Sequence, residues 1–145
     1  MAVPAATGKE LHVSVITPAK RVFGGAAESV VVPAFDGEWG VLPGHASMLA
    51  LLGTGEMRIA SADGTLRRLA VRGGLLQVHQ NQVTVLTEES LAPEEISADE
   101  LSAEIKKLGA EKPTKLEERE ALEVRRAWAK VRQRVSLGMS LVQKG

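Results

Sequence analysis

The chain has 145 residues, 18 Lys and Arg against 18 Asp and Glu, 44% hydrophobic side chains and no cysteine. That length excludes a large multidomain enzyme. Zero net charge argues against a non-specific grip on nucleic acid or anionic lipid, and the missing cysteines remove disulfides, thiolate metal sites and cysteine nucleophiles together. Aromatics at 3%, with no Tyr, leave little surface on which bases could stack. The first residues, Met1–Gly8, lack the basic and apolar regions of a secretory signal. The longest uncharged stretch, Trp39 to Gly55, is interrupted by Pro43 and four glycines. It is shorter than the roughly 20 apolar residues of a spanning helix, so no bilayer crossing is expected.

Composition changes along the chain. Residues 1–93 hold 15 charged side chains, whereas the 52 residues from Glu94 onward hold 21. The expected organisation is a β-sandwich over residues 1–90 and a helical segment over 91–145. In the first part, Leu11–Ile16 alternates apolar and polar side chains as a strand with one wet face does. Glu28–Pro33 reads as a more buried, β-branched strand. Met57–Ser61 and Thr65–Val71 flank Asp63-Gly64, the signal for a hairpin with a two-residue primed turn. Gly73-Gly74 and Gln80-Asn81 bracket a strand Leu75–His79, and Gln82–Leu86 follows. Many short strands at this spacing imply an antiparallel sandwich or barrel.

The second part predicts two helices. Ser97 and Glu100 have the spacing of a capping box, with Ile96 and Leu101 as its hydrophobic staple. Leu101, Ile105 and Leu108 follow on one face until Gly109 offers a stop. Thr114 and Glu117 form a second box, before a longer helix with Val124, Trp128, Val131 and Val135 along one stripe. The fold class is therefore α+β: an antiparallel β-sandwich followed by a two-helix hairpin. Isolated helices of this length are marginal in water, so the hairpin depends on packing.

The densest unusual segment is Asp36 to Ala46, which holds three glycines, Pro43, two carboxylates, Trp39 and His45. Read by residue type it is either a pair of tight turns with Trp39 in the core, or an ordered surface that a partner uses. In the second helix Glu117, Glu118, Glu120 and Glu123 precede Arg125, Arg126, Lys130, Arg132 and Arg134. That segregation complements the helix dipole, and it also concentrates positive charge for a partner.

Thr17-Pro18 with Val22-Phe23-Gly24, then Gly37-Glu38 and Gly40-Val-Leu-Pro-Gly-His-Ala46, then Gly73-Gly74 with Leu76-Gln-Val78 and Val83-Thr-Val-Leu86, closely resemble the epsilon subunit of bacterial F-type ATP synthases. The resemblance covers most of the chain, and its Gly-Val-Leu-Pro-Gly-His-Ala run is highly specific. It implies a non-catalytic rotor part, without a cofactor, that joins the gamma subunit to the ring of c subunits at the cytoplasmic face of the bacterial cell membrane. It maps Asp36, Glu38, Pro43, Gly44 and His45 to a loop facing the c ring, with Glu38 as its charge contact. An apolar patch on the sandwich should meet gamma. The resemblance also implies that the hairpin opens, bringing Arg125, Arg126, Lys130, Arg132 and Arg134 to acidic loops of the catalytic beta subunits and blocking ATP hydrolysis. Some relatives bind ATP through an Ile/Leu-Asp-x-x-Arg-Ala motif at the first helix. Here the stretch is Ile96-Ser-Ala-Asp-Glu-Leu-Ser-Ala103, without the arginine, leaving Arg119 and Arg126 as the remaining contributors and tight nucleotide binding unexpected.

Two other classes are weighed against this one. A small metal-dependent β-barrel enzyme would need His12, His45 and His79 to converge with carboxylates, since their spacing makes no local ligand motif. A free-standing β-sandwich adaptor would use the same surfaces without the motor.

Overall fold

The computed structural model describes residues 10–138; the reading of Met1–Gly8 falls outside the described residues. Eight strands come first: β1 (Leu11–Ile16), β2 (Arg21–Ala27), β3 (Ser29–Ala34), β4 (Gly37–Val41), β5 (Met48–Ala60), β6 (Leu66–His79), β7 (Gln82–Leu86) and β8 (Glu89–Leu91). A 3₁₀ turn, Pro93–Glu95, leads to helices α1 (Ala98–Ala110) and α2 (Leu116–Gly138). This is the expected order of sandwich, then helical hairpin.

The strands pair in the order β2-β1-β7-β6-β5-β3-β4, with β8 also on β6. One pairing departs from the expected antiparallel pattern: β1 runs parallel to β7, with His12 opposite Gln82 and Val15 opposite Val85. The long strands β5 and β6 serve both layers. Toward one end their core-facing residues are even-numbered, Leu52, Leu76 and Val78; toward the other they are odd-numbered, Met57, Ile59, Leu69 and Val71. The change of parity falls around Gly53 and Gly73–Gly74, where the ribbon bends from one layer into the other.

The core follows from strand alternation. Leu11, Val13 and Val15 of β1 point inward with Val83 and Val85 of β7, meeting Val30, Val32 and Val41 from the opposite layer. All of these are at most 1% exposed. Each such side chain contributes roughly 1.5–3 kcal/mol relative to exposure.

Several local expectations are corrected. Gly73 and Gly74 do not end a strand; they lie inside β6 with φ of +64° and +122°, a kink that β-carbon sterics deny other residues. A β-carbon on Gly74 would stand 1.9 Å from the Leu86 carbonyl oxygen. The Asp63-Gly64 connection is not a two-residue primed turn. Ser61 N–H donates to Thr65 O (2.9 Å), Gly64 N–H donates to Ser61 O (3.0 Å), and only Gly64 of the pair has positive φ, +90°. That is a three-residue loop with glycine in the left-handed position. The two-residue turn with both residues left-handed is instead Gln80-Asn81, at φ +47° and +63°, where Asn81 tolerates the conformation.

In the helices, Ser97 Oγ accepts from Glu100 N–H (3.3 Å) as expected, and Ile96 and Leu101 share a cluster. Gly109 does not stop α1, which continues to Ala110 and is capped by an extended Glu111 whose N–H donates to Leu108 O. The expected Thr114–Glu117 box does not form. α2 begins at Leu116, and Arg119 N–H donates to Lys115 O (3.0 Å). Val124 is 55% exposed, so the buried stripe is narrower than expected at that end. Two apolar faces do the packing. Trp128, Val131 and Val135 sit on Ala70 of β6 with Leu91 and Ile96, while Leu122 and Ala129 meet Leu101 and Leu108 of α1.

Residues just beyond position 90 are tied to the sandwich. Ala92 belongs to its core, and Glu95 Oε1 accepts from Ala92 N–H (2.9 Å) while Oε2 accepts from Lys20 Nζ (3.0 Å).

Candidate functional site

The register places an apolar row on the outward face of the layer formed by β1, β7 and the adjoining ends of β6 and β5. Ile16 stands opposite Leu86, Leu86 opposite Leu75 and Leu75 opposite Leu51. Leu49 lies two positions from Leu51 on the same face, and Phe35 N–H donates to Leu51 O (3.0 Å), bringing its ring to the same edge. Phe35 is 82% exposed, Leu49 65%, Leu51 64% and Leu86 45%. Contiguous exposed apolar side chains of this kind mark contact surfaces, whereas scattered ones do not. A shallow groove of about 390 Å³ lined by Ile16, Pro18, Gly74 and Leu86 continues the row. The sequence implies an apolar patch on the sandwich without locating it, although a signal for its place exists. Met48-Leu-Ala-Leu-Leu52 is apolar without alternation, and a strand of that composition is apolar on both faces.

The segment Asp36 to His45 is not one loop. Residues Gly37–Val41 are strand β4, paired with β3 at the end of the sheet order. Trp39 is 38% exposed rather than in the core, and its Nε1–H donates to Asp36 Oδ1 (3.1 Å). Glu38 is engaged within the chain: Arg58 donates both terminal nitrogens to it, at 3.0 and 3.3 Å. Those hydrogen bonds hold the Glu38 carboxyl below its ordinary range against partial desolvation, and the charges of Arg58 and Arg134 add to the effect. Pro43 and Gly44 occupy the centre of a turn closed by His45 N–H on Leu42 O (3.1 Å). With Pro second and Gly44 at φ +87°, this is the pattern of a type II turn. Gly44 N–H donates to Asn81 Oδ1 (2.7 Å), fixing the turn against the β6–β7 connection. Glu38 and the Pro43–His45 turn thus have separate anchors and do not form one charged loop.

The cations of α2 are unevenly used. Arg125 grips both carboxylate oxygens of Glu111 at 3.2 Å. Arg126 closes the end of α1, donating to Leu108 O at 2.9 and 3.3 Å and to Glu111 O at 3.4 Å, with Glu123 at 3.2 Å. Arg132 pairs with both oxygens of Glu104 and lies 5.5 Å over the Trp128 ring. Lys130 and Arg134 are exposed. The expected single basic face is therefore divided: three of its five cations hold the hairpin together in this posture. Arg119 Nε donates to Pro113 O (3.5 Å). Arg126, the other residue expected to contribute to nucleotide binding, spends its guanidinium on the carbonyls of Leu108 and Glu111 at the end of α1.

His12 and His79 both face Gln82 in adjoining strands, with Glu10 4.0 Å from His12 and Ser47 3.0 Å from His79. His45 stands apart, its Nδ1 2.7 Å from Ala46 O. Among the described residues no group of three or more His, Cys, Asp or Glu is placed to hold a metal ion, and no helix is long and apolar enough to cross a membrane.

Comparison with known proteins gives these surfaces a context. Residues 10–93 match the family described as ATP synthase, Delta/Epsilon chain, beta-sandwich domain. The ATP synthase epsilon chain of Leptospira borgpetersenii is 37% identical over 102 residues, 68% of this chain and 80% of that one. Its counterpart in Hyphomonas neptunium is 36% identical over 96 residues, 66% and 71% of the two chains. A chain from the cryo-EM structure of the Euglena gracilis mitochondrial ATP synthase, OSCP/F1/c-ring, shares the fold with a TM-score of 0.68 at 20% identity, over 97% of this chain and 84% of that one. On the sandwich match and the identity to these epsilon chains, the chain belongs to the family of F-type ATP synthase epsilon subunits.

Proposed function

We propose that this chain is a non-catalytic rotor subunit that joins the gamma subunit and the c ring in the central stalk, and whose C-terminal hairpin restrains ATP hydrolysis. The observation that carries the reading is the outward row Ile16, Leu86, Leu75 and Leu51, extended by Leu49 and Phe35. A family member with such a row has the surface a stalk partner requires, and we assign it to gamma. The row is one part of the contact, because stable interfaces bury on the order of 1,200–2,000 Å². The Pro43–His45 turn and the neighbouring β4, with Asp36 and Glu38, are the segment assigned to the polar loops of the c ring. Since Glu38 is already paired with Arg58, its exposed ion pairing supplies at most about 1 kcal/mol to any partner.

The hairpin supports the regulatory half of the reading. It packs on the outer face of the other layer through a small apolar cluster, so lifting it disrupts no part of the sandwich core. Two postures separated by a few kcal/mol can be exchanged by a ligand or by rotor position. Lifting alone presents Lys130 and Arg134; only if the two helices also part do Arg125 and Arg132 lose Glu111 and Glu104, and Arg126 the Leu108 carbonyl, and become cations available to the beta subunits. The assembly test is co-purification of ATP synthase subunits with the tagged chain. The wild type is expected to retain them and Leu51→Glu to lose them while remaining folded; retention by Leu51→Glu would remove the row from the interface.

A further inference from the structure

Glu56 lies on the outer face of its layer, opposite Ala70, yet is only 5% exposed. Alternation explains why. Met57 and Ile59 point into the sandwich, so Glu56 points away from it, beneath the helix that also covers Ala70. Its Oε1 accepts from Arg68 at 2.6 Å and from Arg58 at 3.2 Å. Arg58 and Arg68 stand opposite each other on the same face, and Arg58 continues to Glu38. Glu56 Oε2 and Arg68 Nε are buried without a hydrogen-bond partner among the described residues. The last described residue of α2, Gly138, closes over this group: a β-carbon there would come 2.9 Å from Arg68 Cδ and 3.2 Å from its Nε.

The seam between α2 and the sandwich therefore has two unlike halves. Trp128, Val131 and Val135 on Ala70 form an apolar half that favours closure. The other half covers the Glu56 carboxylate and the Arg68 guanidinium, each with one polar atom left unpaired among the described residues, beside an Arg58 that Glu38 holds. Desolvating such a group costs more than its mutual attraction returns unless every polar atom is satisfied. We infer that Glu56 and Arg68 act as a release element. Closure of α2 strips water from Glu56 and Arg68 and lifting restores it, so the charged half pushes the hairpin toward opening against the apolar half. This rests on the proposal that the hairpin lifts, and it supplies the opposing force such a movement needs.

The inference separates from an ordinary stabilising salt bridge by sign. Native-state hydrogen exchange on the full-length chain reads it directly, with amides of Trp128–Val135 reporting the seam and amides of β7 reporting the sandwich. Arg68→Met alone leaves Glu56 under-compensated when covered, and should speed exchange in α2 severalfold. The double variant Glu56→Met/Arg68→Met, with Arg58 still held by Glu38, should slow it about tenfold relative to wild type, because replacing a buried ion pair by apolar groups removes the desolvation cost. If the double variant loses β7 protection, Glu56→Gln/Arg68→Gln carries the same test without the charges, and is also expected to slow exchange. α2 exchange that is unchanged or faster in the neutralised pair, with β7 protection intact, overturns the inference. Failure of the braking proposal would show elsewhere, as ATP hydrolysis indifferent to the hairpin.

Discussion

The interior of the sandwich and the seam under α2 are built from the same strands, and they obey opposite rules. Inside, β5 and β6 contribute Met57, Ile59, Leu69 and Val71, all fully buried and all apolar. On the opposite face of the same residues' neighbours, the helix covers Ala70 together with Glu56 and lies against Arg68. The first surface is one a chain buries once, on folding. The second mixes an apolar half, which favours closure, with buried charge that, on the inference above, favours release. The difference teaches that burial alone does not identify a permanent core; the satisfaction of what is buried does.

The largest effect that could break this contrast is expected at Gly74. Gly74→Val combines a forbidden φ with a clash against the Leu86 carbonyl, and should cost about 4 kcal/mol or prevent folding, read as loss of the cooperative thermal transition. Leu76→Ala in the same core should lower stability by about 3 kcal/mol by denaturant titration while leaving the structure two-state. Trp128→Ala sharpens the comparison. It should weaken docking of the hairpin by about 2 kcal/mol, seen as faster exchange in α2, with the unfolding midpoint of the sandwich nearly unmoved. If that midpoint falls as far as for Leu76→Ala, seam and core form one cooperative unit and the contrast fails.

The smallest effect concerns Glu95, where the sandwich hands over to the helices. The Ala92 N–H, then Lys20, hold its carboxyl below the ordinary value of 4.5. A carboxylate whose folded pKa is depressed contributes fully above the unfolded value, and that contribution is lost as pH falls through the folded one. Because Glu95 is a third exposed and Lys20 more so, solvent screening limits the effect to about 0.5 kcal/mol. Glu95→Gln should therefore lower stability slightly at neutral pH and flatten its decline below about pH 4.5, which acid titration of the unfolding midpoint can resolve.

What was legible in the sequence tracks how local the determining physics is. The alternation of Leu11, Val13 and Val15 announces a half-buried strand, and Ser97 with Glu100 announces a helix start, because each signal acts within a few residues. Gly73-Gly74 signals a boundary because two glycines usually end a strand; in the fold they allow β6 to bend past the Leu86 carbonyl, a long-range demand. Helical spacing puts Val124 on the buried stripe, but it cannot say how far along a helix its neighbour reaches, and Val124 is exposed. Trp39 looked like core by residue type, yet β4 ends the sheet order and the ring lies against Asp36. The motif residues from Asp36 to His45 were visible, but not that Arg58 would occupy Glu38 or that Asn81 would anchor Gly44. Glu56 carries no signal in the sequence because a single carboxylate in an amphipathic strand reads as solvated; only the folded helix buries it.

The central claim, that a permanent foot carries a removable brake, is tested most directly by ATP hydrolysis in a reconstituted ATP synthase containing either the full chain or residues 1–96. Cutting there keeps Ala92 in the core and Glu95 on its cap. The account predicts that the shortened chain assembles normally and that hydrolysis rises severalfold. Equal rates from two equally assembled complexes would contradict it.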